Sequence, residues 1–315
     1  FGVWALVAQY LTNTTVDTIV LFFVEKWIPK FQFSVEKAKS IYSFGWKVLA
    51  TDLVYTVEED IRSLIIGKVF GSADLAYYDQ GKKYPSILVN NLNSAINKVM
   101  LPAYSRSQDD LDNLKRMLRK SIAVGIFVLA PVLIGFAAVS DSFISVILTD
   151  KWMFCSPYIK IFCIIYLTRP LETACHQALL AIGRSDIVLR IMIAINAVAL
   201  AAVFIAVFGF NSIFLIAVGS LISSFVSLAC FMGYSNKLIS YHLREQLEDI
   251  GPALFSSVIM GGIVYLIGLV NVDKVPLLFL QVVVGGIVYV LLAKLLKIQD
   301  FQYLLEVVKK TTKVV

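Results

Sequence analysis

Apolar residues run along this chain in long continuous stretches rather than in alternation. Nine of the stretches approach the roughly 20 residues that a helix needs to cross a hydrocarbon layer about 30 Å thick: residues 1–24, 41–66, 84–104, 121–139, 158–182, 187–208, 212–234, 252–270 and 276–296. A backbone in lipid must satisfy its own hydrogen bonds, and a helix does so locally. The expected fold class is therefore all-α, a polytopic transmembrane helical bundle of about nine spans. Between spans, SVEKAKSIYSFGWK (34–47) and SQDDLDNLKRMLRK (107–120) alternate charged with apolar residues, the pattern of helices lying at a membrane surface. The C-terminal FQYLLEVVKKTTKVV (301–315) is expected to rest there too.

Composition excludes a water-soluble domain. The chain is 58% hydrophobic and 16% charged, with a mean hydropathy of +0.79, more apolar than a soluble core can absorb. Its net charge of +6 would suit a nucleic-acid partner if the basic residues clustered, but they sort by loop. The connections 25–47, 106–120, 183–190, 235–251 and the tail from 294 hold 19 Lys and Arg; the alternate set, 67–76, 140–157, 209–211 and 271–275, holds three, Lys68, Lys151 and Lys274. The positive-inside rule puts the first set in the cytoplasm, the N-terminal end outside and the C-terminus inside. Basic loops beside anionic headgroups account for the charge, and no nucleic-acid partner is expected.

Catalytic chemistry finds little footing. The outer loops are too short to fold as domains, and the chain contains neither a phosphate-binding G-x-x-x-x-G-K-[ST] loop nor a G-x-S-x-G elbow. Cys155, Cys163, Cys175 and Cys230 lack metal-ligand spacing, and the two histidines, His176 and His242, are far apart in sequence. No metal, cofactor or enzymatic activity is expected.

Charged residues within the apolar stretches carry the functional signal. In 41–66, Glu58, Glu59, Asp60 and Arg62 would cost on the order of 10 kcal/mol if all four faced lipid, so this helix must face protein or a hydrated cavity. In 158–182, Arg169, Glu172 and His176 share one helical face, and Pro170 interrupts the backbone beside them. Asn90, Asn93 and Asn97, with Lys98, mark the stretch 84–104, and Asn13 and Asp17 mark the first. Ion pairing within a helix, Glu58 with Arg62 or Arg169 with Glu172, would explain any one of these stripes structurally. Together the four stripes point to a hydrated cavity with three cations, Arg62, Lys98 and Arg169, suited to an anionic substrate with a polar body.

The segments LIIGKVFGSADLAYYDQGKKYP (64–85), VMLPAYSRSQDDLDNLKRMLRK (99–120), LTDKW (148–152) and LLAIGRSD (179–186) resemble, in combination and order, the polysaccharide exporters of the multidrug/oligosaccharidyl-lipid/polysaccharide exporter superfamily. The resemblance implies two six-helix bundles forming a V around a central cavity that opens alternately to each side. On that template residues 1–24 are the last helix of the first bundle, 25–40 an interbundle linker, 41–234 the second bundle, 252–296 two additional helices and 297–315 a cytoplasmic tail, with about five helices preceding Phe1. It also implies a bacterial inner-membrane location and an undecaprenyl-diphosphate-linked repeat unit of O-antigen, capsule or exopolysaccharide as substrate. The diphosphate would seek Arg62, Lys98 and Arg169, and polysaccharide assembly machinery would be a partner alongside membrane lipids. Two positions depart from the family pattern: an acidic or amide residue is commoner where Arg62 stands, and glycine where Ala76 stands. Competing readings are a cation-coupled multidrug exporter using Asp17, Glu58 or Glu172, a membrane polymerase or glycosyltransferase, and a structural scaffold.

Overall fold

The structure, a computed structural model, describes residues 2–25, 34–107, 110–270, 273–298 and 300–302. Ten α-helices dominate it: α1 (Gly2–Glu25), α2 (Val35–Val69), α3 (Ser72–Arg106), α4 (Leu111–Phe143), α5 (Ser156–Leu167), α6 (Arg169–Ala181), α7 (Ser185–Phe204), α8 (Ile213–Ile239), α9 (Leu243–Gly268) and α10 (Lys274–Leu295). No strand occurs among the described residues. The chain divides into two compact units, 1–43 and 44–315. In the first, every described side chain of α1 from Trp4 to Val24 is exposed. Most of the linker expected at 25–40 and of the tail at 297–315 lies outside the described residues.

Among the described residues, six helical segments are long and apolar enough to cross a membrane: Val7–Val24, Leu111–Leu148, Ser185–Gly209, Ile213–Ile239, Leu243–Gly268 and Lys274–Leu295. The other three expected spans are helical but fall short of that standard. The stretch in α2 carries too many charged side chains, that in α3 is made too polar by Asn90, Asn91, Asn93, Asn97 and Lys98, and 158–182 is broken into α5 and α6 of 12 and 13 residues. Pro170 causes the break: its nitrogen has no proton to give to the preceding turn. Two further expectations need correction. The stretches 34–47 and 107–120 do not form separate surface helices; α2 starts at Val35 and α4 at Leu111, so each is the opening of a long helix. With its π-helical continuation through Leu148, α4 spans 38 residues, about 57 Å at 1.5 Å per residue. Its charged start is therefore an overhang beyond the hydrocarbon layer.

The expected outer loops also shrink. α3 begins at Ser72, so 67–76 reduces to a tight corner at Gly71, whose φ of 97° lies where a side chain is strained. Gly183, with φ 76°, turns the chain between α6 and α7 in the same way. Both glycines belong to segments that carried the family resemblance, and this geometry is their physical reason. Residues 140–157 are the end of α4, a π-turn and a 3-10 turn, Asp150–Cys155.

In the unit 44–315, α4 is the central helix: half of its apolar window is buried (50%), against 22% for α10. Leu114, Leu118, Leu179, Phe231 and Tyr241 pack around one end of it, and Ile66, Tyr78, Leu133, Ile144 and Ile159 around the other. Lipid supplies no hydrophobic drive between helices, so close approach at small residues matters. A Cβ on Gly261 would lie 2.5 Å from Ile134 Cγ2, and one on Gly219 2.7 Å from the Cβ of Ala202.

Charge pairs fasten both ends. Arg119 Nε and Nη2 donate to Asp249 at 2.8 and 2.7 Å, and Nη1 donates to Glu245 at 3.0 Å. Lys115 adds a contact to Glu245 at 2.8 Å and Lys120 one to Asp300 at 2.9 Å. The starts of α4 and α9 and the residues after α10 thus lie together. At the opposite end Lys274, at the start of α10, meets Asp150 at 2.8 Å; its hydrogen bond holds the Asp150 carboxyl below the usual carboxylate range. These contacts gather the connections 106–120 and 235–251 at one end, and 140–157 and 271–275 meet each other.

Candidate functional site

Of the four charged residues in the middle of α2, Glu58 and Arg62 turn inward, Glu59 is half-buried and Asp60 is exposed. Glu58 is 3% exposed and Arg62 8%, and the two pair directly, Arg62 Nη2 donating to Glu58 Oε1 one helical turn away. Arg62 Nη1 also lies 3.5 Å from Glu59. Glu59 then crosses to α3 by accepting from Lys82 Nζ, which makes Lys82 the interhelical member of the group. Arg62 Nε is buried without a hydrogen-bond partner.

A second charged pair sits at the α5–α6 break. Arg169 Nη1 lies 3.8 Å from Glu172 Oε2, and its guanidinium is 5.9 Å from the centre of the Tyr166 ring. Thr168 Oγ1 lies 2.9 Å from the Ile165 carbonyl and within hydrogen-bond reach of Glu172 Oε1, so one hydroxyl proton serves both acceptors. A helix break in an apolar layer is tolerated where side chains satisfy the freed carbonyls or a cavity adjoins it. Both conditions hold here.

The two groups meet in one cavity of about 100 Å³, lined by Glu58, Glu59, Arg62, Lys82, Tyr166, Arg169 and Glu172 together with Asn196 and four serines of α8. A neighbouring recess of about 260 Å³ shares Glu59, Lys82, Tyr166 and Arg169 and adds Ser86, Asn90 and Thr173. Arg62, Lys82 and Arg169 face Glu58, Glu59 and Glu172, so the charges balance. The cations differ in freedom: Arg62 is enclosed by its acids, whereas the side chains of Lys82 and Arg169 are 25% and 34% exposed.

Of the residues singled out from sequence, Arg62, Arg169, Glu58, Glu59, Glu172 and Asn90 line these spaces. Asp60 is exposed, and His176 meets the edge of Phe231 at 6.3 Å and is not among the lining residues. The side chains of Asn93, Asn97 and Lys98 on α3 lie outside the described residues. Asn13 and Asp17 are exposed on α1, in the other unit. Sequence reasoning missed Lys82, which sits between the loop read at 67–76 and the span read from 84. It also missed the polar face opposite. Ser220, Ser223, Ser224 and Ser227 recur at helical spacing in an otherwise apolar stretch, and that period was the available signal. Asn196, 6% exposed, sits on α7 beside them and donates to the Met192 carbonyl at 2.8 Å.

Among the described residues, no three His, Cys, Asp or Glu side chains are grouped to hold a metal ion. What the site offers is a polar, charge-balanced pocket within a mostly apolar bundle.

Comparison with known proteins gives this arrangement a setting. Residues 1–157 match the family model described as polysaccharide biosynthesis protein. The teichuronic acid biosynthesis protein TuaB of Bacillus subtilis is 28% identical over 163 residues, 52% of this chain and 34% of that protein. The lipopolysaccharide biosynthesis protein WzxC of Escherichia coli is 24% identical over 180 residues, 56% of this chain and 37% of that one. The chain thus spans about a third of the length of these relatives. In fold it is similar to the lipid II flippase MurJ in an inward closed conformation, with a TM-score of 0.68 over 89% of this chain and 60% of that one, at 14% identity.

Proposed function

We propose that this chain, whose residues 1–157 match the polysaccharide biosynthesis protein family, is part of a flippase that carries a polyprenyl-diphosphate-linked oligosaccharide across the bacterial inner membrane by alternating access. The observation that carries this reading is the cluster of buried Glu58, Arg62 and Glu172 with half-buried Glu59, Lys82 and Arg169 around a cavity in a bundle of apolar helices. Burying Glu58, Arg62 and Glu172 costs more than packing requires, since a well-packed apolar set of the same volume is often at least as stable. Such a cluster is retained where polar cargo must pass. Cations suit the diphosphate, and the hydroxyl and amide groups of Ser220, Ser223 and Asn196 suit sugar. The chemistry on this reading is translocation, without bond cleavage.

Arg169→Gln in the full-length protein is expected to abolish surface polysaccharide in a host lacking its own flippase, with lipid-linked repeat units accumulating inside and membrane levels unchanged. Normal surface glycan from that variant would remove Arg169 from the translocation path. Dependence on Glu58 or Glu172 without dependence on the cations would favour the cation-coupled multidrug exporter instead.

Orientation follows from the basic overhangs. The end that holds Lys115, Arg119 and Lys120 faces the cytoplasm, and the C-terminus with it. A fluorescent protein fused after Val315 is expected to mature and fluoresce, while alkaline phosphatase fused there stays inactive. The reverse pattern would invert the topology.

A further inference from the structure

Resting on the flippase reading above, we infer that the recess beside Lys82 is the diphosphate subsite and that Glu59 occupies it as an internal counterion until substrate displaces it. The argument starts from which cations can change partner. Arg62 is held by Glu58 and Glu59 on its own helix and is 8% exposed; to meet a substrate it would have to leave the buried Glu58 carboxylate uncompensated. Among the described residues Lys82 forms its ion pair with Glu59, across from α3 to α2, and both side chains are about a quarter exposed. When Lys82 turns away, Glu59 still has Arg62 at 3.5 Å. The exchange therefore strands no charge.

The recess has an anion site's composition. Lys82 and Arg169 border it, Ser86, Asn90 and Thr173 add hydroxyl and amide donors, and Glu59 is its acid. At about 260 Å³ it is the roomier of the two spaces, and it shares Lys82 and Arg169 with the charged cavity. A phosphate oxygen taking the place of the Glu59 carboxylate on Lys82 keeps the charge-assisted hydrogen bond while changing its owner. Because the Glu59–Lys82 contact joins α2 to α3, that replacement also unties the two helices. Binding and helix release are thereby one event, and the carboxylate sets how tightly the anion is held.

The test uses the full-length protein in detergent with farnesyl diphosphate as the binding probe, farnesol as the control, and proteoliposomes loaded with a fluorescent polyprenyl-diphosphate oligosaccharide for transport. Lys82→Gln is expected to weaken farnesyl diphosphate binding at least tenfold, with partial recovery in Lys82→Arg. Glu59→Gln is expected to tighten binding severalfold while slowing transport, because the competitor that expels the anion is gone. Lys82→Gln binding as tightly as the wild type, or Glu59→Gln binding more weakly, overturns the subsite while the flippase reading stands. A wild-type protein that does not distinguish farnesyl diphosphate from farnesol overturns both.

Discussion

Replacing Gly81 by valine is expected to part α3 from α5 and to cost about 3 kcal/mol, the upper range for forcing extra methyl groups into a filled interface. Gly81 is buried where the two helices touch. A Cβ there would overlap the Cβ of Tyr158 and lie 3.3 Å from both the Cys155 carbonyl oxygen and the Ile159 nitrogen. None of these is the far end of a flexible side chain, so relief requires moving a helix. Tyr78, three residues before, packs edge-on against Tyr158 and Phe162 at 5.7 and 5.3 Å and would be dragged along. Gly262 on α9 has nothing within 4 Å of its would-be Cβ, and Gly262→Val serves as the control. The check is the thermal unfolding midpoint of both variants in detergent. Equal midpoints would mean that the α3–α5 contact is looser than described.

Arg62→Leu is expected to destabilise the protein by about 3–5 kcal/mol, the usual cost of removing one partner from a buried ion pair. The loss comes less from the missing contact than from what remains. Glu58, 3% exposed, pairs with no other cation among the described residues, whereas Glu59 keeps Lys82. Adding Glu58→Gln to Arg62→Leu removes the stranded charge and should restore most of the stability, leaving the Glu59–Lys82 contact in place. The double-mutant cycle, read from denaturant or thermal unfolding, separates this account from simple loss of packing. If the double variant is less stable than Arg62→Leu alone, the stranded carboxylate is not the cause.

These two predictions differ in how visible they were beforehand. The spacing of Glu58 and Arg62 already put them one turn apart inside an apolar stretch, and the energy of a charge in lipid required that face to be covered. Gly81 offered no such signal. A glycine between Gln80 and Lys82 reads as a loop residue, and only the approach of α5, which begins at Ser156 far along the chain, gives it a packing role. Lys82 was missed for the same reason: read as lying between a loop and a span, it became a member of the cluster only when α3 proved to start at Ser72.

The sequence by itself determined the all-helical membrane class, the alternation of basic and neutral ends, the break at Pro170 and the need for a covered polar face in α2. Each follows from local chemistry: backbone groups must be satisfied in lipid, proline cannot donate, and charges avoid hydrocarbon. Helix length near the surface was misjudged because an amphipathic stretch has the same pattern whether it lies flat or continues a span, as at 34–47 and 107–120. Tertiary structure decided which charges meet. Glu59 could pair along its own helix with Arg62 or across to Lys82, and it reaches both; His176, on the expected face with Arg169, is turned to Phe231 by the packing of α6 against α8. Periodicity fixes a side chain's direction around its own axis, but the direction of the neighbouring helix is a property of the assembled bundle.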